Sequence, residues 1–153
     1  MLHPSITSAD AARVATTVGA ITAAVDLRRF DLVAGLFADS VVLDYTALWG
    51  GAPATLTPAD IVKAWAGLVP GFDATRHDVT DIAVTIDGDS ASATAEVDGI
   101  HILGDAAWRV LGTYRWRLIR TADGWRVTHM TLTDTREEGS RDLVAAAIAR
   151  VAA

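Results

Sequence analysis

The chain has no cysteine. That removes disulfides, thiolate chemistry and cysteine-ligated zinc from consideration, and it fits a reducing, cytoplasmic setting. Basic residues are also in deficit: 13 Lys and Arg stand against 19 Asp and Glu, a net charge of −6. Neutralising phosphates takes clustered cations, so nucleic acid is not an expected partner. The densest basic stretch, "RWRLIR" from Arg115 to Arg120, alternates with apolar residues as a strand with one polar face would. No run of about 18 apolar residues occurs, so no membrane-spanning helix is expected. "MLHPSITSADAARVATT" lacks the basic-then-apolar order of a signal peptide. Motifs with built-in chemistry are missing too. There is no HExxH and no GxSxG, and "LWGGAP" has neither the Lys nor the glycine spacing of a phosphate loop. No metal and no cofactor is expected.

What is present has the balance of a globular protein, 51% hydrophobic and 21% charged over 153 residues, enough chain for one domain spanning 1–153 with its own core. The first part has a helical rhythm. Thr7 or Ser8 can cap a first helix, with Asp10 in its first turn. Val14, Val18, Ile21 and Val25 then form one apolar stripe. "RRFDLVAGLF" reads as a short second helix with Asp31 as a plausible cap, and "ADSVVLDYTAL" as a strand. In "LTPADIVKAWAGLVPGF" Thr57 caps a helix, Pro58 takes its first position and Pro70-Gly71 closes it.

After Asp73 the chain turns to strands. "HDVTDIAVTIDGD" and "SASATAEVDGIHIL" form a hairpin by composition; "AWRVLGTYRWRLIR" and "WRVTHMTLTDT" follow as two more strands, and an amphipathic helix ends the chain. This is an α+β order in which a strongly curved, mostly antiparallel sheet wraps around the N-terminal helices, with a C-terminal helix behind it. Long strands curve in this way by twisting and bulging, which leaves a cone with a cavity for a small molecule.

Four polar groups stand out. Asp26 follows Val25 at the border of the apolar stripe, where it is either a solvated helix-end carboxylate or a group facing the interior. His77 opens the first long strand. His101 shares a face with Ala93, Ala95, Val97 and Gly99, whose small side chains leave space; it is either a core histidine bonded to a carbonyl or a cavity group. Tyr45 ends "VVLDY" on the face of Val41 and Leu43, as a core tyrosine or as a hydroxyl that polarises a carbonyl. His129 is placed by alternation with Trp125, Val127 and Thr131, and His3 lies near the terminus.

The stretch "VDLRRFDLVAGLFADSVVLDY" resembles the NTF2-like superfamily, and within it the SnoaL-like branch that includes scytalone dehydratase and hexachlorocyclohexane dehydrochlorinase; the similarity runs from about Ala12 to Thr135. It implies a cone-shaped α+β barrel. It also implies that Asp26 holds the imidazole of His77, that His77 takes a proton from the substrate, and that Tyr45 and His101 assist. Thr113 and Arg115 fall at pocket positions by the same resemblance, Arg115 where the dehydratase has an amide and Val25 where it has a second tyrosine. Trp49, Trp65 and Met130 are candidate cavity-lining residues. The resulting expectation is a cofactor-independent, dehydratase-like lyase acting on a small apolar, cyclic substrate. An isomerase, a polyketide-type cyclase or a non-catalytic binding or dimerisation module are the alternatives. A homodimer or homotrimer is expected.

Overall fold

The computed structural model describes residues 4–153, with side chains from Ser8 onward, so His3 lies outside the described residues. Helix α1 (Pro4–Asp26) is followed by α2 (Phe30–Ala34), β1 (Phe37–Asp44), α3 (Thr46–Trp49), β2 (Ala54–Leu56) and α4 (Pro58–Ala66). A 3-10 turn (Val69–Gly71) leads to four long strands, β3 (Ala74–Asp87), β4 (Ser90–Leu103), β5 (Ala106–Thr121) and β6 (Gly124–Gly139), and α5 (Leu143–Ala152) ends the chain.

The strands form one curved, unclosed sheet in the order β2-β1-β6-β5-β4-β3. All neighbours are antiparallel except β1 and β6, which run parallel. The stripe on α1 is buried as its spacing predicts: Val14, Val18 and Ile21 are wholly enclosed and Val25 nearly so. Each such side chain contributes roughly 1.5–3 kcal/mol of burial. Thr57 and Asp60 form a reciprocal capping box at the start of α4, with Pro58 at its first position.

Three local expectations are corrected. Helix α1 begins at Pro4, so Thr7 and Ser8 lie inside it, and Asp10 is no first-turn charge. Its buried carboxylate accepts hydrogen bonds from both terminal nitrogens of Arg120, at 2.9 and 2.7 Å, and from the Trp125 indole at 3.3 Å. A partner remote in sequence outranked the local cap. Arg29, not Asp31, occupies the cap position of α2, and Asp31 pairs with it at 2.9 Å. The strand expected to run through Tyr45 ends at Asp44, whose carboxylate takes the Thr46 amide at 3.0 Å and turns the chain into α3.

The curvature has local sources. Between Thr80 and Ala83, β3 carries one residue more than β4, and Asp81 adopts φ 57° there. Strand β6 carries extra residues opposite β5 at Thr128 and at Asp134, the latter with φ 52°. Such bulges bend a sheet and raise its twist. The concave side faces α1, and the helices leave a cavity of about 870 Å³ against it. No helix among the described residues is long and apolar enough to cross a membrane.

Candidate active site

Asp26 is the last residue of α1. A negative charge at a helix C-terminus faces the negative end of the helix dipole, so helix stability does not account for it there. Its partners do. Oδ1 lies 2.7 Å from His77 Nδ1 and accepts from the Thr75 hydroxyl at 2.9 Å, while Oδ2 accepts from the His77 backbone N–H at 2.7 Å. Burial raises the carboxyl's pKa, but the hydrogen bonds and charge of His77, with help from Thr75, bring it below the ordinary carboxylate range. An ionised carboxylate only accepts, so the proton between the two side chains sits on His77 Nδ1, and in the neutral ring Nε2 is the nitrogen that carries the free lone pair.

The second imidazole is arranged alike by a different partner. His101 and Trp108 are paired across β4 and β5, and His101 Nδ1–H donates to the Trp108 carbonyl at 3.0 Å. Burial, together with the neighbouring His77, pushes the His101 pKa down to about 4, so the ring is neutral at pH 7 and its Nε2 is also bare. The two rings meet edge to face with centroids 5.4 Å apart. Between them lies Gly99, paired with His77 across β3 and β4. A Cβ at this position would sit 3.0 Å from His77 Cδ2 and 3.6 Å from His101 Cε1.

Tyr45, half-buried, lines the same cavity beside Tyr114. Burial raises Tyr45 well above its usual value and Tyr114 to about 12, so both hydroxyls keep their protons. The remaining lining is largely apolar, with Trp49 and Trp65 in it, and Trp49 tilted on Trp108 at 5.7 Å. Asp60 and Lys63 also reach the cavity. Its size falls in the range of small-molecule sites. Among the described residues no group of three His, Asp or Glu side chains could hold a metal ion.

The structure thus brings Asp26, His77, His101, Tyr45, Trp49 and Trp65 together and leaves three of the expected residues elsewhere. Thr113 and Arg115 are on the outer face of β5: Thr113 bonds Glu96 at 3.1 Å and Arg115 is exposed. Strand β5 keeps strict alternation against β4, and its even-numbered residues Trp108, Val110, Tyr114, Trp116 and Leu118 take the interior. Met130 is wholly buried in the core, paired with Trp116 and Leu43, and does not reach the cavity. His129 lies outside as well, because the bulge at Thr128 breaks its phase with Trp125 and Val127.

Two residues with no motif to mark them join the site. Thr75 bonds Asp26. Arg28, at φ 60°, turns its guanidinium back to donate to Thr75 Oγ1 at 2.8 Å. A non-glycine residue in that left-handed conformation costs about 1–2 kcal/mol, which the contacts of its side chain must offset.

Residues 7–131 match the family model described as a SnoaL-like domain. The chain belongs to the SnoaL-like, NTF2-like family. Protein Rv2910c of Mycobacterium tuberculosis is 31% identical to this SnoaL-like domain over 110 residues, covering 69% of this chain and 72% of that protein. The crystal structure of Kfla4162 from Kribbella flavida superposes with a TM-score of 0.81 at 32% identity, covering 94% of this chain and 98% of that one. Hexachlorocyclohexane dehydrochlorinase LinA-type3 from Novosphingobium barchaimii superposes at 0.69 with 14% identity over 87% and 91% of the two chains, a likeness of fold.

Proposed function

We propose that this SnoaL-like domain is a cofactor-independent lyase of dehydratase type, acting on a small, uncharged, largely apolar ring. One observation carries the reading: the Asp26–His77 pair leaves a bare, carboxylate-backed imidazole nitrogen at the wall of a mainly apolar cavity. In this reading His77 Nε2 removes a proton from a carbon next to a carbonyl, and the C–H electron pair passes into an enolate. Asp26 stabilises the imidazolium that results. The Tyr45 hydroxyl donates to the oxygen on which charge develops, directly or through water. His101, whose free nitrogen accepts, holds the departing hydroxyl by its own hydrogen. As the C–O bond breaks, His77 returns its proton to that hydroxyl, water leaves, and the enzyme is restored. Return of the proton to a different carbon gives an isomerase with the same first step.

Candidate hydroxy-ketones screened by mass would show a loss of water. His77→Ala should lower turnover about 10²–10⁴-fold, the usual contribution of a general base, and Asp26→Asn should lower it by leaving the imidazole without its ionised partner. Turnover unaffected by both substitutions would remove the reading.

A further inference from the structure

The contacts behind Asp26 are more specific than a helix end requires. Arg28 Nη1 lies 3.4 Å from the Val25 carbonyl, 3.3 Å from the Asp26 carbonyl and 2.8 Å from Thr75 Oγ1, and Nη2 lies 3.5 Å from the Phe72 carbonyl. One side chain thereby ties the end of α1 to the chain entering β3, the two places that supply Asp26 and His77. The guanidinium makes no ion pair with Asp26; Thr75 stands between them.

A threonine hydroxyl has one hydrogen and two lone pairs, whereas a guanidinium only donates. Once Arg28 fills a lone pair of Thr75, the single Thr75 hydrogen is directed away from it, to Asp26 Oδ1. We propose that Arg28 and Thr75 are positioning residues for the Asp26–His77 pair: Arg28 orients the Thr75 hydroxyl, and that hydroxyl fixes the turn of the Asp26 carboxylate so that Oδ1 meets His77 Nδ1–H. With the His77 backbone N–H on Oδ2, the carboxylate is held at both oxygens and cannot rotate away. The spacing has a second effect. An arginine directly on Asp26 would compete with His77 for its charge; one hydroxyl removed, Arg28 orders the carboxylate and leaves that charge to the imidazole.

The functional weight of this arrangement rests on the proposed role of His77, but its test does not need turnover. A histidine Nδ1–H bonded to a carboxylate gives a low-field proton signal in NMR of the ligand-free protein, visible without substrate. Thr75→Val removes the hydroxyl at nearly constant shape, Thr75→Ser keeps it, and Arg28→Gly removes the guanidinium while suiting the left-handed backbone. The His77 signal should be shifted or lost in Thr75→Val and Arg28→Gly and retained in Thr75→Ser, all measured below the thermal transition of each variant. An unchanged signal in Thr75→Val would overturn the proposal and leave Arg28 and Thr75 as a structural tie, whatever becomes of Arg28→Gly. If the signals move as expected while His77→Ala leaves turnover intact, the positioning stands and the lyase reading fails alone.

Discussion

Gly99→Ala is a substitution whose effects on stability and on the site should part company. Gly99 has no left-handed backbone angle, so alanine suits its conformation, and the missing side chain matters for space alone. The added Cβ would stand 3.0 Å from His77 Cδ2 and 3.2 Å from its Nε2, where ordinary contact starts near 3.4 Å. The ring must therefore yield by about 0.4 Å (3.4 − 3.0). The push falls on the Cδ2–Nε2 edge, across the ring from Nδ1, so the imidazole must tilt or turn to relieve it, and the 2.7 Å bond between Nδ1 and Oδ1 loses its alignment. A hydrogen bond to a charged group contributes about 1.5–3 kcal/mol. Losing part of that costs on the order of 1 kcal/mol, about fivefold in any rate that depends on the pair.

Stability moves otherwise. Replacing glycine by alanine at a compatible angle restricts the unfolded chain and contributes about 0.4–1 kcal/mol, which offsets the strain of the displaced ring. The melting temperature should stay near that of the parent while the His77 low-field signal shifts. Gly112→Ala is the control, since its Cβ would meet Leu132 Cδ1 and the Thr133 carbonyl at 3.0 Å and touch neither imidazole; it should destabilise and leave the signal in place. A Gly99→Ala protein with the parent's His77 signal and a crystal structure with His77 unmoved would refute the claim that the empty Cβ position seats this ring.

His101 makes a pH prediction. Its pKa falls from 6.5 in the unfolded chain to about 4 when folded, so between those values the unfolded state binds more protons. Stability then rises with pH across this window and is lost as pH falls from 6.5 towards 4, by up to about 3 kcal/mol (2.5 × 1.36). Urea unfolding at pH 7 and pH 4.5 should show much of this loss, and His101→Phe should abolish that share of it. Gly71→Ala would place a Cβ 1.9 Å from the Ala147 carbonyl oxygen, a backbone clash that no rotamer relieves. Helix α5, whose Val144 and Ile148 line the cavity, should be displaced, and limited proteolysis should then cut the chain near Asp142. Thr113→Ala and Arg115→Ala, on the outer face, should change stability by no more than about 0.5 kcal/mol and ligand affinity not at all; a marked loss of binding would return those residues to the site.

Periodicity was sufficient wherever one face of an element meets one environment. The α1 stripe, the capped start of α4 and the small-residue face of β4 all sit as their spacing predicts. Asp26 lay at the border of its stripe, and periodicity left both its readings open. What selects the inward one is a hydrogen bond from a residue 51 positions away, which no local pattern encodes. Arg28 and Thr75 were silent for the same reason, since an arginine after a helix and a threonine entering a strand are ordinary. For Thr113 and Arg115 the resemblance pointed inward while the alternation of β5, with its tryptophans and Tyr114 on the even positions, pointed outward. The alternation was the better guide, because an exposed arginine costs nothing and an enclosed unpaired one costs several kcal/mol.

The bulge in β3 carries the largest consequence of that kind. Before it, Thr75, His77 and Val79 turn inward; after it, Ile82, Val84 and Ile86 do. Odd and even positions exchange at Asp81, and without the extra residue the two sets cannot both face the concave side. Ile82 packs against Gly19 of α1, with its Cδ1 3.8 Å from where a Cβ would stand there. Deleting Asp81 forces a choice. Three partly buried aliphatic side chains packed against the core, Ile82 among them against α1, hold roughly 1 kcal/mol or more each, against about 1.5–3 kcal/mol for the charge-assisted bond of His77. The two sums are close, but the aliphatic set also anchors α1, so the half of β3 after the bulge should keep its register and His77 should turn to solvent. The deletion variant is then expected to fold, to lose the low-field imidazole signal, and to make His77 reactive towards diethyl pyrocarbonate. A deletion variant that kept His77 on Asp26 while exposing Ile82, Val84 and Ile86 would show that the polar cluster, and not the apolar face of α1, sets the register of the first long strand.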